Sequence, residues 1–116
     1  MELFDTTQLG LERAITGAEM RQSVLAANVA NANTPGYKPK DIDFRSALRA
    51  AFADGSDPEH APITETASST QMRADGSGID IDVESSKLAA NGLEYQALVQ
   101  AAKGRLQIIE SAMGTR

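Results

Sequence analysis

The sequence predicts a mainly α protein whose N- and C-terminal helices pack together as a coiled-coil pair, with a short extended segment and an acidic loop between them. Three observations predict it. In the N-terminal flank Leu11, Ile15, Ala18, Gln22, Leu25, Val29 and Ala32 recur in alternating steps of four and three; Leu88, Gly92, Tyr95, Val99, Ala102, Leu106, Ile109 and Met113 do the same near the C-terminus. That alternation is the seam pattern of helices packed at shallow angles. Second, only 4% of the 116 residues are aromatic and none is Trp, so Ala and other small residues supply much of the 41% hydrophobic content. Such a composition suits long helices packed along their length better than a rounded core. Third, the stretch from Ala53 to Glu84 carries eight acids and one base, a net −7, while the rest of the chain sums to +2. With its Pro, Gly, Ser and Thr it buries too little apolar surface to offset its ordering entropy, and reads as a loop that is mobile in the free chain.

Taken in order, the first part (residues 1–36) is a helix closed by an Asn-rich motif. Each seam spans about three heptads, which at ~1.5 Å per residue gives helices of roughly 30–40 Å. Pro35 disfavours helical geometry at Thr34 and has no N–H to donate, so the helix stops at Asn33-Thr34-Pro35-Gly36-Tyr37. Pro35-Gly36 fits the centre of a type II turn, where glycine supplies the positive φ. Asn28, Asn31 and Asn33 sit just before the break and suit a helix end that caps itself. Residues 37–52 form an extended segment, Tyr37 to Phe44, and a short helix marked by Phe44, Leu48 and Phe52, with Asp43 as its cap. Residues 53–84 are the acidic loop, ending in a short strand over the alternating Ile79-Asp80-Ile81-Asp82-Val83, which has the option of pairing with the first extended piece. Residues 85–116 are the C-terminal helix, capped by Ser85 or Ser86. The two seams suit either a hairpin within one chain or contacts shared between chains; the thin, Ala-rich core favours sharing.

Catalysis and cofactors find little support. No cysteine is present and His60 is the only histidine, which excludes thiolate sites, disulfides and multi-histidine metal centres. His60 reads as an exposed loop residue. Asp75, Ser77, Gly78 and Glu84 match positions 3, 5, 6 and 12 of a calcium loop, but position 1 is Arg73 and the apolar position 8 is Asp80, so a solvated acidic loop is the better reading. No phosphate loop or nucleophile elbow occurs, and no enzyme activity or cofactor is expected. A net charge of −5 argues against a nucleic-acid partner. No segment approaches the roughly 18 apolar residues of a membrane span, and Met1-Glu2-Leu3-Phe4-Asp5 does not resemble a cleavable signal peptide.

The stretch from Leu25 to Lys38, with its Asn-Val-Ala-Asn-Ala-Asn-Thr-Pro-Gly-Tyr core, resembles the signature of bacterial flagellar rod, hook and hook-associated proteins. The extension Pro39 to Phe44, the run Ile79 to Glu84 and the stretch Leu88 to Gln96 resemble the basal-body rod branch, and most of all its short proximal-rod subunits. The likeness covers roughly residues 5–52 and 79–113 and skips the acidic middle. It implies a structural subunit that polymerises helically through its terminal helices into a drive shaft for motility. The implied partners are further copies of itself, other rod proteins, a FliE-type adaptor and the membrane ring at the rod base, and the flagellar type III export apparatus. The implied location is the periplasmic rod of the basal body, reached without a cleaved signal peptide. Residues Asn28, Asn31, Asn33, Thr34, Pro35, Gly36 and Tyr37 are then the motif and subunit-interface residues, with the asparagines capping the helix and bonding neighbours and Tyr37 lying against an adjacent helix. Leu11, Ile15, Ala18, Leu25, Val29, Tyr95, Val99, Ala102, Leu106 and Ile109 form the coiled-coil seam. A cytoplasmic coiled-coil adaptor is the reading from another class, and it leaves the Asn-Thr-Pro-Gly-Tyr motif unexplained.

Overall fold

Two long antiparallel helices lie side by side, and a short helix and a two-stranded ribbon cover one flank of the first. The structure is a computed structural model and describes residues 6–69 and 78–114. In chain order these hold α1 (Thr6–Ala30), β1 (Lys40–Ile42), α2 (Phe44–Asp54), a 3-10 turn (Pro58–His60), β2 (Glu65–Ala67) and α3 (Ile81–Gly114). The expected class is borne out: terminal helices packed together with a small antiparallel sheet between them. At 66 × 28 × 15 Å and a radius of gyration of 17.6 Å the molecule is elongated, against about 13 Å for a rounded domain of this length.

Helix α1 ends at Ala30, and the break runs as expected. The Thr34 carbonyl accepts from the Tyr37 N–H at 3.2 Å and Gly36 takes φ +78°. Asp43 caps α2 by accepting from the Ser46 N–H, and Gly55, at φ 77°, closes it in the left-handed conformation. Helix α2 then runs back along α1, so that Phe44 lies over Gly17 and Phe52 over Gly10. The main core follows from that docking: Ala14, Ala18, Ile42, Phe44, Leu48, Ala51 and Ala61 are buried in one cluster, with Tyr95 and Leu98 of α3 packed at its edge.

Two expectations need correction. The alternating run over 79–83 is not a strand. Only Ile79 makes a β-bridge, and α3 begins at Ile81 rather than at Ser85. The Asp80 carboxylate accepts from the N–H groups of Asp82 and Val83, and Asp82 and Glu84 occupy the first turn, where acids favour the positive end of the helix dipole. A cap at Asp80, five residues before Ser85, thus overrides the period-two pattern. The strand partner of β1 is instead β2, in register Lys40↔Ala67, Asp41↔Thr66 and Ile42↔Glu65. The supposed acidic loop therefore carries a 3-10 turn and a strand. Asp57 caps that turn, its side chain accepting from the Glu59 N–H, and Arg13 of α1 fixes it by donating to the Ala61 carbonyl through Nε at 3.0 Å and Nη2 at 2.8 Å.

Candidate functional site

The motif residues converge on a polar clasp where α1, the turn, β1 and the start of α3 meet. Asn28 is its centre. It is completely buried, and its carboxamide is fully used. Nδ2 donates to the Lys40 carbonyl at 2.7 Å and to Glu84 Oε2 at 2.9 Å; Oδ1 accepts from the Tyr37 hydroxyl at 3.0 Å and the Lys40 N–H at 3.1 Å. Bonding both the N–H and C=O of Lys40, the side chain stands where a neighbouring strand's peptide would stand beside β1. This corrects the expectation that Asn28 bonds a neighbouring subunit or caps the helix: all four of its hydrogen-bonding positions are satisfied inside the chain. Tyr37 donates its hydroxyl to Asn28 on α1. Asn31 does cap, donating to the Ala27 carbonyl at 2.9 Å while its Oδ1 accepts from Thr34 at 3.1 Å. Asn33, Thr34, Pro35 and Gly36 are exposed.

Charges complete the clasp. Arg21 grips Asp41 with two bonds, Nε at 2.7 Å and Nη2 at 3.2 Å. Lys87 stands 3.7 Å from both Asp41 and the fully buried Glu84 and donates to Ser68 at 3.3 Å. Two cations and two carboxylates are thus balanced across three elements. Burial pushes the Asp41 carboxyl up, but the Arg21 hydrogen bond, the Ile42 N–H and the charges of Arg21 and Lys87 outweigh it and hold it below the ordinary value. The Asp41 hydrogen bond in turn raises Arg21.

Further along α1 and α3 more polar pegs follow. Asn91, nearly inaccessible, donates to the Ala18 carbonyl at 2.9 Å and to Gln22 at 2.8 Å, while its own Oδ1 is buried without a partner. Tyr95 donates to Glu19 at 3.3 Å and Arg105 to the buried Gln8 at 3.2 Å. Of the expected seam, Ala18, Leu25 and Ala102 are buried, Leu11, Ile15, Val29, Tyr95, Val99 and Ile109 are half-buried, and Leu106 is exposed.

Sequence reasoning missed Glu84 and Asn91 as the acceptor and donor pegs, and Gly10 and Gly17 as the seats for Phe52 and Phe44. The heptad spacing of the two glycines was the available signal. A second face was also missed: Leu93, Ala97, Ala101, Gly104 and Ile108 line the side of α3 turned away from α1, with Leu93 69% and Ile108 71% exposed. A side chain added at Gly104 would meet nothing within 4 Å.

Of the calcium-loop residues, Asp75 and Ser77 lie outside the described residues, and Glu84 is committed to the clasp. Among the described residues Asp57, Glu59 and His60 alone bring three potential ligand atoms within 4.8 Å of one another. All three are exposed, and the Asp57 carboxylate is already bonded by the Glu59 N–H and His60. No helix among the described residues is long and apolar enough to cross a membrane.

Comparison with known proteins now gives the clasp its setting. The sequence model of the flagella basal body rod protein family matches residues 11–38, from the α1 seam through the turn. The flagellar basal body rod protein FlgB of Bacillus subtilis is 31% identical over 125 residues, covering 97% of each chain. That of Escherichia coli is 34% identical over 116 residues, covering 83% of this chain and 84% of its own. That of Salmonella typhimurium is 31% identical, with 85% and 89% covered. The chain belongs to the FlgB family of flagellar basal body rod proteins.

Proposed function

We propose that this chain, by its family a structural subunit of the flagellar rod, assembles with further copies of itself into the proximal rod, using the outer face of α3 as a principal contact. The observation that carries the reading is the uncovered stripe Leu93, Ala97, Ala101, Gly104 and Ile108. Two large apolar residues stand some 22 Å apart at ~1.5 Å per residue, and the small residues between them let another helix approach closely. A molecule only 15 Å thick along its short axis has little core of its own, and packing against neighbours supplies the missing layer. A head-to-tail contact that does not close generates an open helical filament, the geometry of a shaft. The exposed Asn33, Thr34, Pro35 and Gly36 are offered to neighbours at the turn, while Asn28 and Tyr37 hold the turn in shape. Other rod proteins, a FliE-type adaptor and ring at the rod base, and the type III export apparatus are the partners of this reading, with the periplasm as the place of assembly.

Sedimentation velocity over a concentration series tests it, with electron microscopy of the heavy fraction. The wild-type chain is expected to grow into elongated species, and the Leu93→Glu/Ile108→Glu double variant to stay monomeric with unchanged helical circular dichroism. A compact dimer that never grows, indifferent to both substitutions, would favour the adaptor reading instead.

A further inference from the structure

We propose that Asn91-Gly92 is a site of spontaneous modification, a succinimide-forming pair that the α1–α3 packing keeps inert and that turns Asn91 into aspartate or isoaspartate in a chain whose α3 is not seated. Of the four asparagines only Asn91 precedes glycine; Asn28, Asn31 and Asn33 precede Val29, Ala32 and Thr34. The reaction needs the nitrogen of the following residue to reach the side-chain Cγ, and glycine alone brings no side chain into that approach. The Gly92 nitrogen bonds to Cγ and gives up its proton, and the carboxamide nitrogen leaves as ammonia. Water then opens the cyclic imide at either carbonyl, so no oxidant or cofactor takes part. Among the described residues nothing requires glycine at this position. Its φ is not positive, a Cβ there would meet only Gln22 Nε2 at an ordinary 3.8 Å, and glycine weakens a helix interior.

The packed state opposes each step. Helix α3 runs from Ile81 to Gly114, so the Gly92 N–H belongs to the helix ladder and the fixed backbone keeps its nitrogen from swinging toward Cγ. The leaving nitrogen is held as well: Asn91 Nδ2 donates to the Ala18 carbonyl at 2.9 Å and to Gln22 Oε1 at 2.8 Å. Attack at Cγ would place negative charge on Oδ1, and that oxygen is buried without a donor, the reverse of an oxyanion hole. Asn91 is only 1% exposed, which keeps water away too. The product does not fit back into this seat. An aspartate would turn a carboxylate oxygen toward the Ala18 carbonyl and bury its charge there; Gln22 can turn its amide round, but a backbone carbonyl cannot. An isoaspartate lengthens the main chain and breaks the ladder. Folding thus guards the pair, and modification bars refolding: a chain left unseated is retired by its own chemistry.

Peptide mapping by mass spectrometry tests this on the full chain, incubated in parallel in native buffer and in guanidinium chloride at one mildly alkaline pH, then refolded by dilution. Asn91 is expected to deamidate about tenfold or more faster in denaturant, because reaction requires the opened state. The fraction that regains helical circular dichroism and hydrogen-exchange protection of α3 peptides should fall in step with the modified fraction. Gly92→Ala should fold like the wild type, react about tenfold or more slowly in denaturant for want of a free approach, and keep its refolding yield. Asn91→Asp, made directly, should lower α3 protection by about tenfold. Equal rates in the two buffers would show that the packing gives no shield. An unchanged rate in Gly92→Ala would rule out the imide route, and modified chains that refold with α3 protected would show that the product is tolerated. Any of these three results overturns the proposal. Should a variant fold poorly, the wild type compared between the two buffers and after refolding still decides.

Discussion

Helix α1 is bound on two sides by different chemistry. Toward α2 it presents Gly10, Ala14 and Gly17, with Phe44, Leu48 and Ala51 packed on them. Toward α3 it presents Gln8, Ala18, Gln22, Leu25 and Asn28, and receives Arg105, Asn91 and Glu84. The first interface is shaped by close approach and buries apolar surface, which sets stability. The second is pegged by amides and ions over some 20 residues, about 30 Å, which sets register: a slip by one residue would strand several buried polar groups at once. An interface that fixes alignment suits a helix whose opposite face has another partner to meet.

The largest effect expected from breaking this contrast is at Asn28. Asn28→Ala takes a hydrogen-bond partner from the Lys40 peptide, the Tyr37 hydroxyl and the buried Glu84 and should cost about 3–5 kcal/mol in chemical denaturation. Asn28→Asp should be no better, because it faces Glu84 with a second carboxylate. Gly17→Ala comes next. Its Cβ would lie 2.6 Å from the Cβ and Cγ of Phe44, atoms too near the backbone to swing aside, and a loss of about 1–3 kcal/mol is expected. Gly10→Ala meets only the far edge of the half-exposed Phe52 ring, at 2.7 Å, and should cost clearly less. A pH titration of stability sharpens the other side. Since folding lowers the Asp41 carboxyl, its contribution is complete above the ordinary value of 3.8 and is lost as pH falls through the lower folded value. Arg21→Gln should flatten that acid limb. Smallest is Gly104→Ala, which meets open space and should stabilise the monomer by about 0.5–1 kcal/mol, yet weaken assembly if a neighbouring helix approaches there.

The sequence made the turn, the α2 cap and the pairing of terminal helices legible, because each is written locally. Pro35-Gly36 admits few backbones, Asp43 stands three residues before Ser46, and the four-three spacing needs no knowledge of the partner. The strand over 79–83 was misread because period-two alternation is equally compatible with the first turn of a helix that Asp80 caps. The role of Asn28 was hidden for a different reason. Near a helix end an asparagine signals capping, and only the return of Lys40 and the arrival of Glu84, 56 residues downstream, turn it into an internal strut. Glu84 itself looked like one more acid in an acidic stretch, and its burial follows from Asn28 and Lys87 rather than from anything adjacent in the chain. The exposed stripe on α3 was masked by the seam beside it, since both follow helical spacing.

Cysteine cross-linking tests the central claim that the two faces of α3 have different partners, and the chain's lack of native cysteine makes it clean. Leu93→Cys and Ile108→Cys, treated with a short thiol-reactive cross-linker in the assembled state, should yield covalent dimers and higher species between copies. The same treatment of a Gln22→Cys/Gly92→Cys pair, on facing positions of α1 and α3, should give a link within one chain. Between-copy products absent at residues 93 and 108 in an assembled sample would contradict the account.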